Sequence, residues 1–128
     1  MHIEHIAFWV QDLEGMKDFY CQFFDLTPNE KYHNPTKQFT SYFLSFPTGA
    51  RLELMHRPDV AEFVGPKGML NGLTHLAISV GSKERVDTLT EAFRAAGYEI
   101  SGEPRTTGDG YYESVILDPE GNPIEITG

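Results

Sequence analysis

A single cysteine, Cys21, excludes an intrachain disulfide. It lies among Phe19, Tyr20, Phe23 and Phe24 in a helical pattern and reads as a small buried residue. Basic residues are also scarce: 10 Lys and Arg stand against 19 Asp and Glu, a formal net charge of −9. No Lys/Arg cluster offsets that balance, which argues against nucleic acid and against an anionic membrane surface as partners. Long apolar runs are missing too. Nothing approaches the roughly 20 apolar residues of a membrane span. The first residues, with His2 and Glu4, lack the apolar stretch of a signal peptide. A soluble, cytoplasmic protein is the expectation. What remains is a globular composition, 40% hydrophobic and 12% aromatic, in 128 residues. That is the size of one domain able to bury a core.

The chain is written twice. HIAFWV at 5–10 aligns with HLAISV at 75–80, and FPTGARLEL at 46–54 aligns with DPEGNPIEI at 118–126. Either match alone is within chance; both, in order, indicate a duplicated unit. The first unit opens with a strand near 2–10. A helix near 12–25 follows, capped by Asp12, with Leu13, Met16, Phe19, Tyr20, Phe23 and Phe24 as its apolar stripe and Pro28 as its stop. Strand-like runs come near 27–32 and 38–46, then a Pro47-Thr48-Gly49 turn and a strand at 50–56. The second unit repeats the order: strand 72–81, then a helix near 83–96 between Ser82 and Gly97. Val86, Leu89, Phe93 and Ala96 form that helix's stripe. Strands near 98–103, 111–118 and 123–127 complete it, the last after a turn at 119–122. This predicts one α+β domain, 1–128, built from two tandem β-α-β-β-β modules. Module 1 covers about 1–56, a Pro- and Gly-bearing linker 57–71, and module 2 about 72–128.

Strand side chains alternate between faces. Ile6, Phe8 and Val10 share one face with the helix stripe, so His5, Ala7 and Trp9 take the other. The same parity puts His75 opposite Leu76, Ile78 and Val80, Glu53 opposite Leu52 and Leu54, and Glu125 opposite Ile124 and Ile126. All four polar residues therefore point to helix-free faces. Taken singly, a strand histidine is more often a hydrogen-bonded core or rim residue, and a glutamate in Leu-Glu-Leu is more often solvated. Their repetition at equivalent points changes that, because an inward carboxylate is costly without a partner. If the sheets curl toward each other, His5, Glu53, His75 and Glu125 converge as a His2Glu2 set suited to a divalent transition metal. Trp9 shares the His5 face and reads as an apolar wall or as packing. Gly108-Asp109-Gly110 reads as a mobile loop or as a simple turn, with Tyr111, Tyr112 and Glu113 leading from it toward the site. Arg105 is a surface arginine able to meet an anion.

These motifs, HIAFWVQDLEGMKDFYCQFF, RLELM, HLAISV and LDPEGNPIEI, resemble the vicinal-oxygen-chelate superfamily over residues 2–127. Its members include glyoxalase I, extradiol dioxygenases, fosfomycin-resistance enzymes, methylmalonyl-CoA epimerase and bleomycin-binding proteins. The resemblance implies paired modules, each curling into a half-open barrel, with His5, Glu53, His75 and Glu125 at the metal positions. A His-Glu-His-Glu set is most similar to glyoxalase I. Dioxygenases and fosfomycin enzymes use two His and one Glu, and the epimerase has Gln where Glu53 stands. The implied activity is a lyase or isomerase acting on a 2-oxoaldehyde–thiol adduct. The implied cofactor is nickel or zinc, with cobalt, manganese and iron as further candidates. Glu53 or Glu125 would move the proton, and the near-symmetry of the halves leaves open which. Trp9 stands where glutathione-using members carry arginine, and Arg57 where asparagine is common, so both are candidate substrate contacts and the thiol stays open. Val115 stands where fosfomycin enzymes carry tyrosine. The alternatives are a small-molecule binding or resistance protein and a dioxygenase-like enzyme. The family commonly dimerises, and a homodimer is expected.

Overall fold

The computed structural model describes residues 1–128, which carry two helices and nine strands. They divide into two units, Met1–Phe63 and Val64–Gly128, with the boundary inside the expected linker. The α+β class and the strand-helix-strands order of each half agree with the sequence pattern.

In the first unit, β1 (His5–Trp9) leads into α1 (Leu13–Phe24). Asp12 starts the helix by accepting a hydrogen bond from Gly15 N at 2.9 Å, which satisfies one of the free amides of the first turn. The helix ends at Phe24, close to the expected bound, but Asp25 and not Pro28 stops it. Asp25 takes a left-handed conformation, φ 56°, and turns the chain out; Asp is among the few non-glycine residues that tolerate this. The expected strand at 27–32 also breaks, into β2 (Thr27–Pro28) and β3 (Tyr32–Asn34). Pro28 has no amide to donate, so the ladder cannot continue evenly. Asn29 bridges the gap: its amide donates to Phe43 O at 2.9 Å, and its side chain accepts from Phe43 N at 2.8 Å. β4 (Phe39–Ser45) and β5 (Arg51–His56) complete the sheet, ordered β1-β5-β4-β2 with β3 also on β4. The pairing of β1 with β5 is parallel, so the first and last strands of the unit lie side by side.

α1 packs on β2, β4 and β5. Between them lie Val10, Leu13, Met16, Phe19, Tyr20, Leu26, Leu44, Leu52 and Leu54, all buried. Each fully buried Leu or Phe of this kind contributes about 1.5–3 kcal/mol of burial free energy. Phe23 and Phe24, expected in the stripe, are only half-buried, as is Cys21. Partial burial still raises the Cys21 thiol pKa, which makes it a poor nucleophile.

The second unit repeats the plan with β6 (Leu76–Ser79), α2 (Lys83–Ala95), β7 (Ile100–Thr106), β8 (Tyr112–Leu117) and β9 (Pro123–Thr127). The sheet order is β6-β9-β8-β7, again with first and last strands parallel. Ser82 caps α2 through Arg85 N. At the other end Gly97, φ 87°, follows the capping Ala96, and Tyr98 N donates back to Phe93 O at 3.0 Å, closing a Schellman-type turn. The buried face of α2 is Val86, Thr90 and Phe93, rather than the expected stripe through Leu89 and Ala96. Thr90 is tolerated there because its hydroxyl bonds Val86 O and Ser114 Oγ, each at 2.7 Å. The strand expected over 72–81 is shorter, leaving His75 just ahead of it. Two turns hold the β8 ends. Asp118 accepts from the amides of Glu120 and Asn122, each at 2.9 Å, before β9. Thr107 bonds Tyr111 across Gly108-Asp109-Gly110, so that segment forms a hydrogen-bonded turn.

Candidate metal centre

In the first unit the parallel register sets Ala7 beside Glu53 and His5 beside Arg51. The small alanine leaves the glutamate room to reach along the strand. His5 Nε2 lies 3.7 Å from Glu53 Oε2. The second unit builds the same arrangement: Ala77 sits beside Glu125, and His75 Nε2 lies 3.2 Å from Glu125 Oε2. The glutamates are the more covered members, at 15% and 21% side-chain exposure against 39% and 38% for the histidines.

These separations have chemical meaning. Two donors bonded to one divalent ion at about 2.0–2.2 Å stand roughly 2.8–3.6 Å apart at octahedral or tetrahedral angles. Imidazole and carboxylate together suit zinc and the late first-row metals. The His75–Glu125 pair falls inside that range, and the His5–Glu53 pair lies just beyond it. The structure brings the four expected ligands together as two pairs, and no group of three or more His, Cys, Asp or Glu side chains gathers to hold an ion.

Around the first pair is a set of residues that sequence reasoning passed over. Glu4 Oε2 meets His5 Nδ1 at 2.5 Å, and its other oxygen is bound by Arg51. The hydrogen bond from His5, followed by that from Arg51, holds the Glu4 carboxyl below its ordinary pKa. Arg51 lies over the Phe43 ring at 4.2 Å, and Phe43 in turn meets the His5 ring edge-on at 5.3 Å. Glu4 lies outside β1, where alternation no longer predicts direction, and Arg51 is brought to His5 only by the parallel register.

The expected substrate contacts divide. Trp9 is 43% exposed on the His5 face and abuts Phe39, which meets Tyr32, so the three rings form an aromatic edge. Arg57 is bound to Asp59 at 2.5 Å and lines a cleft of about 480 Å³ with Thr36, Lys37 and Gln38. Glu113 shares the face of Glu125 through its position beside Thr127, and is buried with Arg105 at 3.3 Å. Arg105 is therefore committed to that carboxylate. Tyr112 does not point toward the Glu125 face. Its hydroxyl donates to Asp87 Oδ1 of α2 at 2.7 Å, a bond that raises the phenol pKa, and Lys83 lies over its ring. Tyr112 has the parity of Ser114 and Ile116, which face the helix side, so strand alternation already carried that signal.

Known proteins share this architecture. The glyoxylase/bleomycin resistance protein/dioxygenase domain from Frankia sp. EAN1pec superposes with a TM-score of 0.83 over 99% of this chain and 96% of its own, at 19% identity. Glyoxalase I from Leishmania major gives 0.80 over 100% of this chain and 86% of its own, at 23% identity. At these identities the likeness is one of fold. The lactoylglutathione lyase GLX1 of Arabidopsis thaliana is 28% identical over 127 residues, 95% of this chain and 42% of the plant protein. The chain thus spans less than half the length of that relative. With the family model matching residues 2–126, the chain belongs to the Glyoxalase/Bleomycin resistance protein/Dioxygenase superfamily.

Proposed function

We propose that this protein is a metal-dependent lyase or isomerase of the glyoxalase I kind, its two modules acting as one domain. The substrate class is a small molecule with neighbouring oxygens, in first place a 2-oxoaldehyde–thiol adduct. The observation that carries the reading is the repeated pair: His Nε2 faces Glu Oε2 at the same register in both units, at 3.7 and 3.2 Å. The name of the Arabidopsis relative supports the reaction type. In this reading His5, Glu53, His75 and Glu125 supply the donors to a divalent ion, nickel or zinc before cobalt, manganese or iron.

When bound, the ion supplies Lewis-acid polarisation of two adjacent substrate oxygens. The chain's own part is positioning and proton movement. Glu53 or Glu125 accepts a proton from the carbon next to the carbonyl at a carboxylate oxygen and returns it to the neighbouring carbon. The Trp9 edge gives the substrate an apolar wall. Arg57 lines its cleft bound to Asp59, and an anionic part of a co-substrate would have to compete with that carboxylate. A homodimer belongs to the same reading.

The test is elemental analysis of protein purified without added metal, followed by thioester formation from methylglyoxal with a panel of thiols. The expected result is a stoichiometric divalent ion and turnover with at least one thiol. Protein free of metal, whose stability ignores a chelator, would be a binder of small molecules and would overturn the reading. Bound metal with no turnover on any thiol would overturn the glyoxalase assignment and favour a dioxygenase or epimerase assay.

A further inference from the structure

The two histidines are equivalent in sequence and unequal in their surroundings. His5 is held from two sides. Its Nδ1 meets Glu4 at 2.5 Å, and its ring edge meets Phe43. Arg51 ties these supports together, bound to Glu4 and lying over Phe43. The result is a closed ring of four side chains, Glu4, His5, Phe43 and Arg51. In the second unit every support is replaced. Thr74 precedes His75 where Glu4 precedes His5. Val115 sits beside Glu125 where Phe43 sits beside Glu53. Pro123 precedes Ile124 where Arg51 precedes Leu52. The contact His75 makes is with Glu125.

A carboxylate facing Nδ1 attracts the ring only if that nitrogen carries the proton. The neutral ring then has its lone pair on Nε2, which lies 3.7 Å from Glu53 Oε2 and beyond hydrogen-bond reach, so Glu4 at 2.5 Å decides the tautomer. A carboxylate behind an imidazole fixes its tautomer and orientation and raises its donor strength. We propose that Glu4 is a positioning residue that locks His5 in its Nδ1–H tautomer, with Arg51 and Phe43 holding Glu4 and the ring in place. His75 lacks any such lock. The two half-sites therefore differ in preorganisation: the first presents a fixed nitrogen donor, the second an adjustable one. This rests on the reading of His5 as a ligand.

The experiment uses the full chain, free of metal and labelled with ¹⁵N-histidine, at a pH where the imidazoles are neutral. Two-bond ¹H–¹⁵N spectra report which ring nitrogen carries the proton. The expected result is a single Nδ1–H form for His5 in the parent protein and a mixture of tautomers in Glu4→Gln and Arg51→Met, with His75 signals unchanged. Zinc affinity, read by competition with a chromophoric chelator, should fall by about 10–100-fold in Glu4→Gln. An unaltered His5 tautomer and unaltered zinc affinity in Glu4→Gln would overturn the inference while leaving the metal reading intact. Failure of the parent protein to bind zinc or any other divalent ion would instead remove the metal reading. The tautomer spectra would still decide whether Glu4 positions His5.

Discussion

Thr90 and Ser114 form a polar bolt between α2 and β8, and a double-mutant cycle measures it. Both side chains are fully buried, at 0% exposure. The Thr90 hydroxyl donates to Val86 O, so the proton of the shared Thr90–Ser114 bond comes from Ser114. Thr90→Val keeps shape and volume but leaves the Ser114 hydroxyl buried without an acceptor. That orphan costs about 1–3 kcal/mol, which in a protein of this size lowers Tm by about 3–10 °C. Ser114→Ala leaves Thr90 with its Val86 bond and costs about 1 kcal/mol or less. The double variant has no orphan. Its cost should fall short of the sum of the single variants by about 1–2 kcal/mol, since contacting residues couple by such amounts. Urea unfolding of the four proteins, followed by circular dichroism, gives the cycle. Strict additivity, or a Thr90→Val variant as stable as its parent, would refute the reasoning. It would mean that water reaches Ser114 when Thr90 is lost.

Three further outcomes follow from the same geometry. Tyr112→Phe removes a hydroxyl on the helix side, so it should cost at most about 1 kcal/mol of stability and leave kcat/KM unchanged; a large kinetic loss would show that this side chain reaches substrate. Glu53→Gln and Glu125→Gln should each lower both metal content, by elemental analysis, and turnover; parent values for both in both variants would discard the ligand assignment. On the surface, hydrogen bonds from Lys31 and Lys17 hold the Glu14 carboxyl below its ordinary pKa, with Tyr42 beside them. A depressed carboxyl stabilises the fold above its unfolded pKa and loses that contribution as pH falls through its folded value. The pair is exposed, so Glu14→Gln should cost no more than about 1 kcal/mol at pH 7. The difference should vanish in acid below the ordinary Glu range and in high salt, as comparison of melting curves would reveal.

Much of this architecture is legible in the chain itself. Alternation placed His5 and Glu53 opposite Leu52 and Leu54, and the repeat supplied His75 and Glu125 with the same placement. Side-chain caps located both helix starts, because Asp12 and Ser82 act on amides only a few residues away. The misreadings arise where partners are distant or local chemistry interrupts a pattern. Pro28 broke a strand because it lacks an amide, and Asp25 ended a helix before Pro28 could. The Glu4–Arg51 bond depends on the parallel alignment of β1 with β5, which no spacing within either segment encodes. Tyr112 is a different case: its parity with Ser114 and Ile116 was visible, and the neighbouring glycines suggested a loop instead.

The parallel pairing of first and last strands makes each His–Glu pair depend on contact between the two ends of its unit. His5 and His75 are made at the start of their units, and Glu53 and Glu125 arrive near the ends. The two donors meet only when β1 pairs with β5, or β6 with β9, across nearly the whole length of the unit. Such non-local closure is slow compared with helix formation. A chain cut before β5 or β9 would keep its histidine and most of its core residues, yet hold no donor pair. An ion captured by such pairs would therefore sense whether a unit is finished, and would favour finished units by mass action.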